Sequence, residues 1–538
     1  MKHAASFLAA MTLGLASAPL AAQTSPDVVE VSVDTSGEGP TIDKHIFGQF
    51  AEHLGTGIYG GVWVGEDSTI PNVRGIRTDV VTALKALKVP NVRWPGGCFA
   101  DEYHWRDGIG DQSQRRVSVN SNWGGSIEDN AFGTHEFFDF IEQIGAEAFL
   151  SINVGSGTYK EAADWVAYIT ADTRSTAGQE RAAYGHPEPW KIRFLGIGNE
   201  SWGCGGNMRV EYYTDELKRY ARFTRNYNPE QQAYANPANP TEVSPNAMAR
   251  VAVGPSDGDT TYTEGVMKAW AGKDWSWSIE GLSLHHYTTG GWPPSYDSVN
   301  FGEAEYAALT AATLEIDDHI TAHSEIMDRY DPDKQVPLMV DEWGVWLAKL
   351  PGTQEGFLQQ QNSMRDAIIA ALNINIFARH GDRVKGGNIA QMANVLQAMI
   401  LTEDEKMVLT PTYHLFRMYV PFQDAQMVPV TFDAGEYRHG KIVLPRVDAI
   451  AARGTDGKLY VALVNIDPNR PATMNLSLNG IRVKSATGEV LTAPAVNSVN
   501  TFAAPATVSP KALRATAANG AVRVTLPAKA VAVLLLED

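Results

Sequence analysis

A chain of 538 residues that is 44% hydrophobic can bury a large core and a second module, so one small domain is excluded. Its formal charge of −18 is scattered as single Asp and Glu residues, which argues against nucleic acid or an anionic membrane as partner and favours a neutral or weakly polar substrate. Two cysteines, Cys98 and Cys204, build no disulfide framework; two free, partly buried thiols are the plainer expectation and one bridge between them the alternative, with no Cys or His spacing that suggests zinc.

The chain opens on Met1-Lys2-His3, an apolar run from about Phe7 to Leu15 and the small residues ASAPLAAQ. This reads as a signal peptide over 1–22, too short to span a bilayer, and predicts a secreted or periplasmic protein. A strand-like run, VVEVSVDTSG, follows within 23–44 and is expected to pair with the C-terminal module. Eight short apolar runs come next: IFGQF, NVRWPGG, AFLSINVGSG, IRFLGIGNE, RVAVGPS, IEGLSLHHY, VPLMVDEWG and GGNIAQM. Between most of them lie amphipathic stretches such as TDVVTALKALK and GTHEFFDFIEQIG, so the alternation predicts an α/β fold, a (β/α)8 TIM barrel over 45–415. Helical periodicity fades near Pro421, and strand-like runs such as KLYVALVNIDP predict a jelly-roll-like β-sandwich over 416–538.

Such a barrel does its chemistry at the C-terminal ends of its strands. There the sequence places Glu52-His53, Arg93 with Cys98 after the turn, Asn153, Asn199-Glu200, His285-His286-Tyr287, Asp341-Glu342 and Gln391. Glu200 and Glu342 end strands four and seven, across the mouth from one another. Cleavage of a glycosidic bond with retention needs two carboxyl groups about 5 Å apart, one donating a proton to the leaving oxygen and one attacking the anomeric carbon. Asn199 would then hold a sugar hydroxyl beside the reacting carbon. Trp63, Trp202, Trp292, Trp343 and Trp346 lie in or near strand-end loops, where an indole stacks on a sugar or packs in the core; about half are expected to do the former. His285 and His286 read as pocket wall or as support behind it.

GNESWG and VDEWGVW resemble the acid/base and nucleophile motifs of the (β/α)8 retaining glycosidases whose glutamates follow strands four and seven. FGQFAEHLGTGIYGGVWVG, RWPGGCFADEYHWRDGIG, NIAQMANVLQAMI and LTPTYHLFRMY narrow the resemblance to the family 51 α-L-arabinofuranosidases, over essentially the whole chain beyond the signal. The resemblance implies an exo-acting retaining α-L-arabinofuranosidase, with Glu200 as acid/base and Glu342 as nucleophile. It implies sugar contacts from Glu52, Cys98, Asn199 and Gln391, with Arg93 and Tyr287 orienting the nucleophile. It implies no cofactor and no metal, an arabinose-containing oligo- or polysaccharide as partner, and a homo-oligomer, hexameric by family analogy. Other members place Asn where Cys98 stands, so a thiol is expected close to the sugar.

Other readings carry less. GPSDG, Gly254 to Gly258, fits the G-x-S-x-G pattern of serine hydrolases, but a polar loop is expected after it where a nucleophile elbow needs a helix. GIGNES fails the dinucleotide fingerprint at its last position. A carbohydrate-binding protein without catalysis would lack one of the two glutamates, and a β-xylosidase or endoglucanase of the same clan would lack the GQFAEHLG and NIAQMANVLQ runs.

Overall fold

Each of the eight apolar runs contains one strand, and the strands close a parallel barrel in chain order: Gly48–Phe50, Asn91–Trp94, Glu147–Ile152, Phe194–Ile197, Ala249–Ala252, Gly281–Thr288, Leu338–Val345 and Val384–Ala390. The computed structural model describes residues 28–232, 244, 246–518 and 520–538, so the expected signal segment lies outside the described residues. Arg93 pairs with Phe149 and Phe149 with Phe194 around one side, and Ile389 beside Gln49 closes the ring. Below the mouth, Phe149, Phe194, Ala249, Val251 and Met339 form a cluster of their own that fills the lumen, so the barrel is a packed core and chemistry is confined to its upper rim.

The helices follow the apolar stripes. Thr134–Ile144 buries Phe137, Phe138, Phe140, Ile141 and Ile144 and stops at Gly145, whose φ of 76° is left-handed. Met364–Arg379 is different: every residue from Met364 to Ala378 is buried, because this helix touches the seventh barrel strand on one side and the sandwich strands Val447–Arg453, Leu459–Asn465 and Ala530–Glu537 on the other. No helix of the described residues is long and apolar enough to cross a membrane.

Beyond the helix Pro411–Tyr419 the chain turns to antiparallel strands. The N-terminal strand Val28–Asp34 joins them, parallel to Ala472–Asn479 with Val31 beside Leu476, and antiparallel to Val430–Phe432. Alternate residues Val31, Val33, Val461, Leu463, Leu476 and Leu534 close a second core.

At the barrel floor Arg383, just before the eighth strand, is buried with Asp331 at 3.0 Å and also donates to the carbonyls of Val336 and Asp331, both at 3.0 Å. Arg383→Met would leave Asp331 as an unpaired buried charge. The expected loss is about 3–5 kcal/mol, seen as a lowered denaturant midpoint, with the activity of the folded fraction unchanged. A loss below about 1 kcal/mol would contradict this account.

Candidate active site

A cavity of about 580 Å³ opens at the C-terminal strand ends, lined by Glu52, Cys98, Glu200, Tyr287, Glu342 and Gln391 among others. A slightly larger cavity, about 630 Å³, is lined by Phe138, Glu147, Trp190 and Arg193 near the strand N-termini; its lining includes neither Glu200 nor Glu342. The upper cavity is the one with chemistry in it.

Arg93 projects from the second strand into the lumen, 1% exposed. Its Nη1 donates to Glu342 Oε1 at 2.7 Å, its Nη2 donates to Asn199 Oδ1 at 2.7 Å, and its Nε lies 3.5 Å from Asp341 Oδ2. Burial works to lower its pKa, but the carboxylates of Asp341 and Glu342 outweigh that and raise it. The guanidinium also stands 4.8 Å over the Phe50 ring.

Asp341 and Glu342 are consecutive on the seventh strand, yet both reach buried partners inside the mouth. A regular strand would send them to opposite faces. The pairing register with the eighth strand shifts between Val340 and Trp343, an irregularity that re-aims side chains at a barrel rim. A matching shift on the sixth strand falls between Ser283 and His285. Glu342 Oε2 accepts a hydrogen bond from Tyr287 Oη at 2.9 Å, so both its oxygens are occupied. A Cβ on Gly97 would lie 2.6 Å from Glu342 Oε1, so the second-strand turn needs glycine there.

Glu200 follows the fourth strand with a left-handed φ of 37°. His285 Nδ1 is 2.9 Å from Glu200 Oε1 and 3.5 Å from Glu342 Oε2, and its Nε2 is 3.4 Å from Asp341 Oδ1. Burial opposes its charge, but the surrounding Glu342, Asp341 and Glu200 push its pKa up to about 10, so the ring is an imidazolium. Carboxylate oxygens of Glu200 and Glu342 come within 4.8 Å of each other.

Glu52 lies on the wall opposite. Its Oε1 accepts from the backbone N–H of Gly97 and Phe99, both at 3.0 Å, and from Trp123 Nε1 at 2.9 Å, while Gln391 Nε2 donates to its Oε2 at 3.1 Å. Burial first, and then the Glu342 charge, raise its pKa to about 7. All eight site residues named from the sequence therefore surround one cavity or hold its lining.

Several expectations change. Cys98 and Cys204 are not free thiols; they are bonded, with Cα atoms 5.5 Å apart, because the 3-10 turn Cys98–Asp101 packs directly against the loop after Glu200. Cys98 still lines the cavity, as a disulfide sulfur without an S–H to donate. Trp202, Trp292 and Trp346 line the cavity, whereas Trp63 and Trp343 are core. The polar stretch after GPSDG is not a loop throughout: a helix, Thr260–Ala271, begins there, capped by Asp259 on the N–H of Thr261. Ser256 nonetheless donates to Asp257 at 3.1 Å rather than to an imidazole.

Sequence reasoning missed Trp123 and Asp101 as partners of the site and named Asp341 only as a strand-end residue, while His285 stands where it was expected, as support behind the pocket. Among the described residues, three groups have ligating spacing. Cys98, Glu200 and Cys204 are spoken for by the disulfide, and Glu200, His285 and Glu342 surround a protonated ring. Asp257, His286 and His319 lie within 4.8 Å of one another at the rim, with Asp257 and His286 hydrogen bonded at 2.8 Å.

A closed parallel barrel with two facing carboxylates at strands four and seven marks a glycoside hydrolase. Comparison narrows the class. A family model described as the α-L-arabinofuranosidase C-terminal domain matches residues 341–530, and one described as the α-L-arabinofuranosidase 1 domain matches 83–245. An intracellular exo-α-L-arabinofuranosidase of Bacteroides ovatus is 45% identical over 97% of this chain and 98% of its own. The crystal structure of the GH51 arabinofuranosidase from Xanthomonas axonopodis pv. citri is 49% identical with a TM-score of 0.89, covering 95% of this chain and all of that one. The arabinose complex of the Thermotoga maritima α-L-arabinofuranosidase is 30% identical with a TM-score of 0.79, again over 95% of this chain and all of that one. The chain belongs to the family 51 α-L-arabinofuranosidases, retaining glycoside hydrolases. The expected secreted or periplasmic location is corrected by the same comparison: the Bacteroides relative is intracellular by name and aligns over nearly the whole chain, and nothing supports a cleaved signal at 1–22.

His285 provides a direct check on the electrostatics. In a histidine-labelled sample its ring nitrogens should report an imidazolium at pH 8, with deprotonation only near pH 10. Because the folded pKa lies above the ordinary 6.5, its stabilising contribution is complete below that value and is lost as pH rises through about 10. A neutral ring at pH 8 would contradict the charge assignment.

Proposed function

We propose that this cavity releases terminal non-reducing L-arabinofuranose from arabinoxylan, arabinan or their oligosaccharides by double displacement. The observation that supports it best is the pair of carboxylates within 4.8 Å, only one of which has both oxygens held by strong donors. Carboxylates this close suit direct attack on the sugar, the geometry of retention. Glu342, fixed by Arg93 and Tyr287, is the nucleophile. Glu200 is the acid/base: His285 donates to its Oε1, which leaves Oε2 as the oxygen that gives a proton to the leaving group.

In the first step Glu342 attacks the anomeric carbon, the glycosidic C–O bond breaks, and the Glu200 proton goes to the departing oxygen. In the second, Glu200 takes a proton from water, which displaces Glu342 and frees arabinose. Glu52, Asn199 and Gln391 bind sugar hydroxyls, and Cys98 contributes van der Waals contact. Trp202, Trp292 and Trp346 at the mouth are placed to receive the rest of the glycan. Assembly into the hexamer implied by the family resemblance is part of this reading; a solution mass equal to a single 58.5 kDa chain would overturn that part alone.

The test is a panel of 4-nitrophenyl glycosides with two variants. Wild-type enzyme should turn over the α-L-arabinofuranoside and neither the β-D-xyloside nor the β-D-glucoside. Glu342→Ala should lose activity by about 10⁴-fold or more on every arabinofuranoside. Glu200→Ala should spare the first step for good leaving groups and slow arabino-oligosaccharides by roughly 10²–10⁴-fold. Identical responses of the two variants to leaving-group acidity would refute the roles.

A further inference from the structure

Glu200 sits in a backbone conformation that a glutamate adopts only when its surroundings impose it. The imposing groups can be identified on both sides. After it, the Glu200 carbonyl accepts from the N–H of Gly203 at 2.7 Å and of Gly205 at 3.1 Å. Before it, the N–H of Asn199 donates to Asp101 Oδ2 at 2.9 Å.

Asp101 closes the 3-10 turn after the second strand and is 3% exposed. Its Oδ1 accepts from the N–H of Val154 at 2.7 Å and of Gly155 at 2.8 Å, and its own carbonyl accepts from Ser156. One side chain therefore ties the turns after strands two, three and four together. The loop beyond Glu200 is pressed against it: a Cβ on Gly205 would lie 2.6 Å from Asp101 Oδ2. At the other end of the same four-residue turn, Cys98 is bonded to Cys204. The turn thus grips the Asn199–Gly205 loop at two points, one covalent and one a hydrogen bond.

We propose that Asp101 is a positioning residue for the acid/base, holding Glu200 in its productive orientation through the backbone of Asn199. It touches no substrate and carries no proton in the reaction. Burial raises its pKa to about 7 against its N–H donors, and three converging N–H groups are what an acceptor-only carboxylate can satisfy. The proposal rests on the reading of Glu200 as acid/base.

Asp101→Asn isolates the contact. The amide oxygen can keep the two N–H groups of Val154 and Gly155, which turns the NH₂ toward the Asn199 N–H, donor against donor. Wild type, Asp101→Asn and Glu200→Ala would be compared on 2,4-dinitrophenyl α-L-arabinofuranoside and on an arabino-oligosaccharide, with and without azide. Asp101→Asn should lower kcat on the oligosaccharide by about 10-fold or more at unchanged KM. Arabinosyl-enzyme formation from the activated substrate should stay within about twofold of wild type, and azide should accelerate its breakdown. Equal losses on both substrates, a change in KM alone, or no change would overturn the proposal. If Glu200→Ala itself shows no dependence on the leaving group, the acid/base reading falls instead. Should Asp101→Asn not fold, Asp101→Ser, whose single oxygen cannot reach all three N–H groups, undergoes the same comparison.

Discussion

The buried guanidinium of Arg93 is the constraint on which the mouth of this barrel is built. A charge taken out of water is tolerated only with partners, and Arg93 finds them on two other strands: Glu342 and Asp341 on the seventh and Asn199 after the fourth. Its planar fork holds the Glu342 carboxylate with one nitrogen and Asn199, beside Glu200, with another, a division that a lysine could not reproduce. Glu342 and the loop that carries Glu200 are thereby referred to the same rigid point.

A second cation completes the arrangement. His285 reaches both glutamates, and Asp341 lies within 3.5 Å of Arg93 and 3.4 Å of His285. The clustered carboxylates are balanced in this way by two buried cationic side chains. The irregular pairing of strands six and seven makes it possible, since regular strands would turn Asp341 or Glu342 away from the lumen. The Cys98–Cys204 bridge and the Asp101 contact with Asn199 join the same turn and loop through different atoms.

The barrel and the two glutamates were legible because each depends on local pattern. An apolar run followed by a polar pair marks a strand end, and Asn199-Glu200 and Asp341-Glu342 stand out from such runs. The N-terminal strand could be expected to join the sandwich because it is strand-like and lies ahead of the first barrel strand. What escaped were residues whose importance is set by tertiary neighbours. Trp123 lies in a polar loop with no periodicity, and nothing local says that its indole reaches Glu52. Asp101 is one acid among many until three backbone N–H groups converge on it. The helix after GPSDG was hidden because its first turn is polar, as capped helix starts are. The cysteines could not be paired from spacing, since their meeting depends on two turns from different strands.

Attack by the carboxylate that Arg93 and Tyr287 hold would leave the sugar covalently bound to it, and trapping that intermediate decides the proposed role. Enzyme treated with an activated 2-deoxy-2-fluoro-α-L-arabinofuranoside, digested and sequenced by mass spectrometry, should carry the fluoroarabinosyl group on Glu342 alone. A label on Glu200 or Glu52, or steady turnover with no covalent adduct, would contradict the account.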